Sequence, residues 1–292
     1  NSTRTDISAG NAVGKRGLYP DGSSMVSMAG FTVNSFDLGK WIITAGTRFN
    51  TYEIKVNDEA LGLTRLTPSA LVGNLALLRK LSATSNLFAS LNTGFRAPSI
   101  DDLGTLGIVD FRYETPNLDL KPESSVQYQI GYKYLDRKVR GEIYIYRNQL
   151  YNLITRSRVG EQVIEGYPVY QKENSGKSFI QGIETAWDYD FSQAWSFHGD
   201  ITYTYGQNLT KNEPVRRIPP LYGRIAAEYS AGNWLLNIEW LAAAKQSRLA
   251  QGDKDDNRIP EGGTPGWNIF NINGSYSWKF ITIDLSLRNI LN

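Results

Sequence analysis

The sequence predicts an all-β protein, a fragment of an antiparallel transmembrane β-barrel that contains about twelve strands. Three observations lead to this fold class. Apolar and polar residues alternate with a period of two in segments of roughly ten residues. Short and long connections alternate along the chain. Aromatic residues lie next to the short connections.

The stretch from residue 87 to residue 134 carries this pattern most clearly. A strand over residues 87–94 ends at Arg96-Ala97-Pro98, a polar loop follows, and a second strand begins at Lys121-Pro122-Glu123. The apolar face of that second strand holds Val126, Tyr128, Ile130, Tyr132 and Tyr134. Its other face is polar, so one face meets an apolar medium and the other meets water.

The segments before this stretch follow the same rules. We predict a Gly-rich loop over residues 1–23, a strand over residues 27–38 and, after a short turn, a strand over residues 41–50. A longer loop covers residues 54–67, and Ala70 opens the next strand. Short turns at residues 37–40 and 79–84 thus lie on either side of the longer loop in the sequence.

The segments after residue 134 continue the alternation. Long polar stretches are predicted at residues 151–176, 206–218 and 245–265. The strands between them start at Val139, Phe179, Trp195, Leu221, Trp234, Phe270 and Ile281. No helix of consequence is predicted. A soluble sandwich has no reason to collect its long loops at one end, whereas an outer-membrane barrel has short turns on one side and long loops on the other.

Aromatic residues on the apolar faces give a second, independent signal. They lie next to the short turns at Trp41, Tyr134, Tyr189, Phe191, Trp195, Tyr229, Trp234 and Trp278. Aromatic side chains at one level are typical of the interfacial girdle of a membrane barrel. The alternative is a soluble core whose aromatic residues lie near strand ends.

The opposite faces carry charges of both signs, among them Lys133, Asp188, His198, Asp200 and Arg224. So many charges are incompatible with a dry core and indicate a wide, wetted lumen. The net charge of +2 gives no reason to expect a nucleic-acid partner, and the chain contains no cysteine. Asn1 lies directly in a polar loop, so we expect the 292 residues to be a piece of a longer protein.

Five short motifs point to a family. Asn-Thr-Gly-Phe-Arg-Ala-Pro at 92–98, Pro-Asn-Leu at 116–118 and Leu-Lys-Pro-Glu at 120–123 resemble the TonB-dependent outer-membrane receptors. Ile-Pro-Pro at 218–220 and Asn-Ile-Leu-Asn at 289–292 are similar to the C-terminal half of that family. The order of these elements is more specific than any single motif.

The resemblance implies a 22-stranded barrel in the outer membrane of a Gram-negative bacterium and an N-terminal plug. It also implies import of a scarce ligand, driven by an inner-membrane TonB complex. Residues 1–292 are then the C-terminal portion of the barrel domain, without the plug, the energy-coupling box and the last strand. Expected partners are a small-molecule ligand, in this family a metal chelate, outer-membrane lipid and, through the plug, TonB.

Arg96, Arg112 and Tyr113 are the candidate ligand-binding residues, because they lie in or beside the first long external loop. Their side chains suit charge-assisted hydrogen bonds to an anionic iron chelate. The alternative for Arg96 is that it only anchors its loop. No cofactor, resident metal or catalytic set is predicted.

The sequence carries partial signals for two further ligands, haem and calcium. Residues 95–98 and 115–118 resemble two boxes of haem-uptake receptors, but no histidine lies between them, and His198 is predicted to be a lumen residue. Asp253, Asp255 and Asn257 resemble the start of a calcium loop. Arg258 replaces its glycine, which favours a solvated loop.

The favoured function is import of an iron–siderophore, haem or cobalamin by a TonB-dependent receptor. Two alternatives from other classes stay open. One is a passive porin or adhesin barrel. The other is a barrel enzyme, for which His198 and Asp200 share one face.

Overall fold

A computed structural model describes residues 3–8, 11–58 and 62–291. Within these ranges the chain forms eighteen strands and two one-turn helices. The strands up to the first helix are β1 (Thr3–Ser8), β2 (Asn11–Arg16), β3 (Ser24–Asp37), β4 (Trp41–Asp58), β5 (Gly62–Leu66), β6 (Ser69–Lys80) and β7 (Ser85–Arg96). Helix α1 (Ile100–Gly104) follows.

The second part of the chain is also almost entirely extended. Its strands up to residue 243 are β8 (Gly107–Val109), β9 (Arg112–Thr115), β10 (Glu123–Leu135), β11 (Val139–Ile164), β12 (Tyr167–Asp190), β13 (Trp195–Asn208), β14 (Glu213–Pro214), β15 (Tyr222–Ala231) and β16 (Trp234–Ala243). Helix α2 (Gln251–Lys254) precedes β17 (Trp267–Trp278) and β18 (Ile281–Leu287). Neither helix has the length or the apolar character needed to cross a membrane.

Twelve strands form one continuous antiparallel meander, in the order β3-β4-β6-β7-β10-β11-β12-β13-β15-β16-β17-β18. The prediction of about twelve strands is confirmed. Strands β5, β8, β9 and β14 attach at the margin of this sheet. In the described residues β3 pairs only with β4, and β18 pairs only with β17, so the barrel is not closed.

The strand register makes the apolar face continuous. Trp195 lies opposite Tyr229, and their ring centroids are 5.0 Å apart. Trp234 lies opposite Tyr276 at 4.5 Å. Because directly opposed residues share a face, these pairs place the short-turn aromatics on one side of the sheet. Trp234 is 59% exposed, as expected for a side chain that faces outward.

Two predicted loops are wrong, because they contain strands. Residues 1–23 include the hairpin β1–β2, and residues 54–67 include the end of β4 and its partner β5. At the end of β4, Ile54 and Val56 alternate with Lys55 and Asn57 and are fully buried, so this short alternation marks contact with a small core.

The predicted polar excursion at residues 151–176 is likewise a β-ribbon, formed by the outer parts of β11 and β12. It closes in a two-residue turn at Glu165-Gly166, between the opposed residues Ile164 and Tyr167. Both turn residues have positive φ, 52° and 82°, which is the geometry that glycine favours in such hairpins. This turn closes the part of the β11–β12 pair that continues beyond the neighbouring strands β10 and β13.

A small buried core lies at the long-connection end of the sheet. It consists of Ile54, Val56, Ala97, Leu103 and Leu120. These residues come from β4, α1 and the segments that flank α1. The extended ribbons and the long connections therefore pack on one another, and the rest of the sheet presents two accessible faces.

Candidate ligand-binding loop cluster

The long connections meet in what we call the loop cluster: residues 97–122, the β11–β12 ribbon from residue 151 to residue 177, and residues 209–221 and 244–266. Helix α1 begins this cluster. Ser99 is its N-cap, and Ser99 and Asp102 form a reciprocal capping box. Pro98 fixes the extended backbone just before the cap. The helix thereby turns Leu103 into the buried core.

Arg96 joins three segments of the cluster. Its Nε and Nη2 atoms donate to the two carboxylate oxygens of Glu123 at 2.6 and 2.9 Å. Its Nη1 atom donates to Asp102 at 2.6 Å. Glu123 also accepts a bond from the backbone N–H of Ile154 at 2.7 Å. The hydrogen bonds to Glu123 and then to Asp102 raise the pKa of Arg96, so the guanidinium stays charged.

The segment after α1 is fastened to β12. Asn117 Nδ2 donates to the carbonyl of Lys172 at 2.8 Å, and Asn174 accepts from the backbone N–H of Lys121 at 2.7 Å. Lys172 Nζ donates to Asp101 at 2.6 Å. Burial alone would raise the pKa of Asp101, but the bonds from Lys172 and Thr105 outweigh it and lower the pKa. The Pro-Asn-Leu and Leu-Lys-Pro-Glu motifs thus supply the hydrogen bonds that hold this segment to β12.

Arg112 and Tyr113 lie on β9, which runs parallel to β12 with Tyr113 opposite Val169. Arg112 is 6% exposed and stacks on Tyr170, with its guanidinium carbon 4.8 Å from the ring centre. Tyr170 donates its hydroxyl hydrogen to Asp255 at 3.1 Å. Arg96 is not part of this group, so the structure brings two of the three predicted residues together and places the third at the base of α1.

The predicted solvated loop at Asp253, Asp255 and Asn257 is wrong in one respect. Asp253 and the neighbouring Asp256 are buried, at 3% and 4% exposure. Arg216 Nε donates to Asp253 at 2.9 Å, and Arg258 Nε donates to Asp256 at 2.8 Å. The bond from Arg258 holds the pKa of Asp256 far below its usual range. The loop is polar by sequence, yet its carboxylates are held by arginines that come from 37 and 2 residues away.

A cavity of about 640 Å³ opens between the ribbon, residues 208–217 and α2. Its wall includes Tyr170 and Asp255, the two residues that contact Arg112. Five cationic side chains line it: Arg156, Arg158, Lys211, Arg216 and Arg217. Sequence analysis missed these five, although the Arg216-Arg217 pair and the alternating Arg156 and Arg158 were visible signals.

The cations of this cavity are not equally available. Arg158 is held by Glu161 at 2.8 Å, Lys211 by Glu173 at 2.7 Å, and Arg156 by the buried Glu114. Burial raises the pKa of Glu114, and the charge of Arg156 opposes that shift. Arg217 is 69% exposed and 3.9 Å from Asp256. Arg217 is therefore the cation most open to an anion that enters the cavity.

The lumen face carries a ladder of charged pairs across neighbouring strands. Lys133 contacts Glu142 at 3.0 Å, and Arg224 contacts Asp200 at 3.1 Å. His198 is part of this ladder, as predicted from its parity. Its Nδ1 atom is 2.6 Å from Asp188, the residue directly opposite in β12.

His198 also approaches a serine, because Ser196 Oγ lies 3.3 Å from its Nε2 atom. Ser196, His198 and Asp188 thus have the connectivity of a hydrolytic triad, whereas the pair foreseen from sequence was His198 with Asp200. Hydrolysis also needs free N–H donors for a developing oxyanion. Ser196 and its neighbours lie inside the β12–β13–β15 ladder, which uses their backbone N–H groups. The arrangement suits a lumenal hydrogen-bond network.

Three kinds of comparison place these observations among known proteins. The family model described as "TonB dependent receptor-like, beta-barrel" matches residues 1–290. The chain is 29% identical over 129 residues to hemoglobin and hemoglobin-haptoglobin-binding protein B of Haemophilus influenzae, which is 41% of this chain and 12% of that protein. Binding protein C of the same name is 31% identical over 99 residues, 32% of this chain and 9% of that protein.

Solved structures share the fold. The copper transporter OprC superposes with a TM-score of 0.80 at 19% identity, over 99% of this chain and 45% of OprC. The ferric citrate transporter FecA in its unliganded form gives 0.68 at 19% identity, over 92% of this chain and 40% of FecA. The chain spans less than half the length of each.

Proposed function

Because this chain belongs to the TonB-dependent receptor family, as a β-barrel segment, we propose that it is the C-terminal part of an outer-membrane importer. The full-length receptor would bind a scarce ligand at the loop cluster and take it up with energy from an inner-membrane TonB complex. The family consists of transporters and receptors. The cation-lined cavity among the long connections is the observation that carries the proposal.

The ligand class follows from the chemistry of the cavity wall. Arginine forms bidentate hydrogen bonds with carboxylates and similar planar anions. Among iron–siderophores, haem and cobalamin, the lining therefore favours an anionic iron chelate. Arg112 and Tyr113 on β9 would support the cavity wall, since Arg112 stacks on the lining residue Tyr170. Arg96 would hold in place the loop that carries them.

Binding by the purified full-length receptor tests this proposal. Ferric citrate, a ferric catecholate, haem and cyanocobalamin serve as probes, with tryptophan fluorescence as the readout. We expect saturable binding of one anionic chelate, weakened about tenfold by Arg217→Gln, which corresponds to about 1.4 kcal/mol. Arg137→Gln, in a short turn at the opposite end, is the matched control. Equal affinity of both variants and the wild type would place the ligand elsewhere.

Haem is a second candidate because the similar Haemophilus proteins are named for hemoglobin binding. Between the two haem-type boxes, Tyr113 offers a phenol oxygen, a type of axial ligand used for haem iron. A Soret band that shifts in Tyr113→Phe, with Tyr151→Phe unchanged, supports this ligand. A spectrum that does not respond to Tyr113→Phe excludes that coordination.

A passive barrel is separated from an importer by energy dependence. Uptake by an importer stops when the proton-motive force is collapsed, because the coupling complex then supplies no work. Diffusion through a porin continues under the same treatment. Cells that carry the full-length gene and a labelled chelate provide the measurement.

A further inference from the structure

Four side chains form a row of stacked contacts near the outer end of the sheet. The guanidinium of Arg147 on β11 lies 3.9 Å from the ring centre of Phe179 on β12. Phe179 stacks on Tyr205 of β13, with 6.0 Å between ring centres. The guanidinium of Arg248 lies 3.8 Å from the ring centre of Tyr205. Two cations thus enclose two aromatic rings, and we call this set the arginine row.

The arginine row stands on the outward face. Arg147 lies opposite Gln181, two residues along from the opposed pair Ile145 and Ile183. The β11–β12–β13 register runs without interruption through this region, so side chains two residues apart share a face. Ile145 and Ile183 belong to the apolar face, and the row continues that face toward the long connections.

Neither arginine of the row is neutralised by the protein. Arg147 donates to the side-chain oxygens of Gln181 at 2.8 Å and Gln149 at 3.2 Å. Arg248 donates to Gln207 at 2.9 Å and to a backbone carbonyl. No carboxylate of the described chain lies within 4 Å of either guanidinium, whereas the lumen arginines Arg140 and Arg224 both have one.

The row lies at the height expected for a membrane boundary. On β12, Gln181 and Phe179 precede the girdle residue Tyr189 by eight and ten residues. At about 3.3 Å per residue and a tilt of about 40°, this corresponds to a height of about 20–25 Å. The apolar band of an outer-membrane barrel is about 25 Å tall, and an outward arginine costs little only near its edges. The row therefore marks the outer edge.

An apolar groove of about 460 Å³ runs directly below Arg147. Its outward-facing lining includes Tyr128, Ile130, Ile145, Ile183 and Tyr203. All five side chains are at least 42% exposed, so the protein itself leaves them uncovered. A slot of this kind, with a cation at its upper end, is complementary to an acyl chain that carries an anionic headgroup.

We propose that the arginine row and this groove bind one lipid of the outer leaflet, an acylated lipid whose headgroup carries two phosphates. The guanidinium groups stand at opposite ends of the row, so each faces one phosphate, and one acyl chain fills the groove. Arginine suits this role because its planar fork pairs with phosphate in a bidentate way while its flat face stays on an aromatic ring. The inference rests on the proposed function, since it requires the strands to cross the outer membrane.

Native mass spectrometry of the full-length receptor tests the lipid site. The probe is diphosphoryl lipid A in detergent, with inorganic phosphate and phosphatidylcholine as separate comparisons. We expect the Arg147→Gln, Arg248→Gln double variant to lose affinity for the probe at least tenfold. Ile145→Trp, which fills the groove and keeps both charges, should also weaken binding. Phosphatidylcholine should bind equally weakly to all variants, and inorganic phosphate alone should not compete.

Arg79→Gln is the matched control, because Arg79 also stacks on an outward aromatic residue, Trp41, at 5.0 Å. It lies at the short-turn end, so its loss should leave lipid A binding within twofold of the wild type. Unchanged binding in the double variant, or an equal loss in Arg79→Gln, overturns the lipid site. A wild-type receptor that shows no heat-modifiable barrel overturns the proposed function, and this inference falls with it.

Discussion

At the scale of single residues, the family-type motifs are explained by contacts within the loop cluster. The arginine of the Phe-Arg-Ala-Pro motif and the glutamate of the Leu-Lys-Pro-Glu motif are the two partners Arg96 and Glu123. They hold the ends of β7 and β10 together beneath the first long loop. Side-chain exposure of Arg96 is 46%, so a ligand can reach it only beside its carboxylate partners.

Replacement of Arg96 by glutamine is expected to loosen residues 97–122 without unfolding the sheet. The change removes the charge-assisted bonds to two carboxylates, which keep only their hydrogen bonds from Ile154 and Ser99, so local opening should be favoured by about 1–2 kcal/mol. Hydrogen exchange of the full-length receptor measures this as faster uptake in peptides from that segment. Arg137→Gln is the control, and equal exchange in both variants would contradict the anchoring role.

Acid is expected to open the loop cluster before it affects the strands. Hydrogen bonds lower the pKa of Asp101, Asp102 and Asp256 below the ordinary value of about 4. The stability that these carboxylates contribute is therefore complete above about pH 4 and is lost as the pH falls through their folded-state pKa. Glu114 has the opposite effect. Burial raises its pKa, so its protonation in mild acid stabilises the folded loop cluster.

Limited proteolysis across pH 2–7 with an acid-tolerant protease measures that opening. Cleavage within the loop cluster should rise below about pH 4 and reverse on neutralisation. In the Asp256→Asn variant one titrating group is absent, so cleavage should rise less steeply with falling pH than in the wild type. Onset above pH 6 would contradict the assignment to these carboxylates.

At the scale of elements, each strand has two environments along its length. Near the short turns the alternation is strict, as expected for strands of a membrane barrel, with one face toward lipid and the other toward a wet lumen. Toward the long connections, the outer ends of β4, β11 and β12 pack within the loop cluster, where Ile54, Val56 and Val169 are buried. Burial there follows from contacts between loops and ribbons and not from one continuous apolar face. Strand β13 contains the sharpest contrast, with Phe197 on the aromatic face and His198 on the charged ladder.

Spin labels at residues 197 and 198 of the full-length receptor should report opposite surroundings. Phe197→Cys, labelled in a reconstituted bilayer, should be relaxed by oxygen, which concentrates in lipid. His198→Cys should be relaxed by a water-soluble nickel complex. Because consecutive residues of a strand point to opposite faces, one residue of difference is enough. Two labels in the same medium would contradict the barrel orientation.

At the scale of the whole molecule, the sheet formed by the described residues has two unpaired edges. Strands β3 and β18 expose every residue, which is unusual for strands with apolar side chains such as Phe31 and Leu285. We propose that both edges pair with strands outside residues 1–292. Unpaired backbone groups cannot remain in lipid, so the segment alone is not a membrane-stable unit.

The 292-residue chain expressed alone should therefore aggregate unless detergent is present. On an unboiled gel it should lack the compact, fast-migrating form of a closed barrel, because twelve strands at the curvature of a wide barrel cannot meet. The full-length receptor should show that form and lose it on boiling. A monomeric, heat-modifiable segment would mean that these strands close on themselves.

The sequence by itself determined the roughly twelve strands of the main sheet and which of their residues share a face, including the aromatic residues beside the short turns. These features repeat every second residue, so a local pattern records them. Even the lumen position of His198 followed from parity. The motifs of the first long loop could also be read from the sequence. Arg96, Arg112 and Tyr113 lie at the end of the sheet where the long connections meet, and their role in ligand binding stays a prediction.

Only the tertiary structure decided which charges meet. Arg96 pairs with Glu123 and Arg216 pairs with Asp253, across 27 and 37 residues of chain, and no local period predicts such distant pairs. The same holds for the cavity cations and the arginine row, whose members come from different strands and loops. Pairing between distant residues depends on how the long connections fold over one another, and that is set by packing of the small core around Leu103.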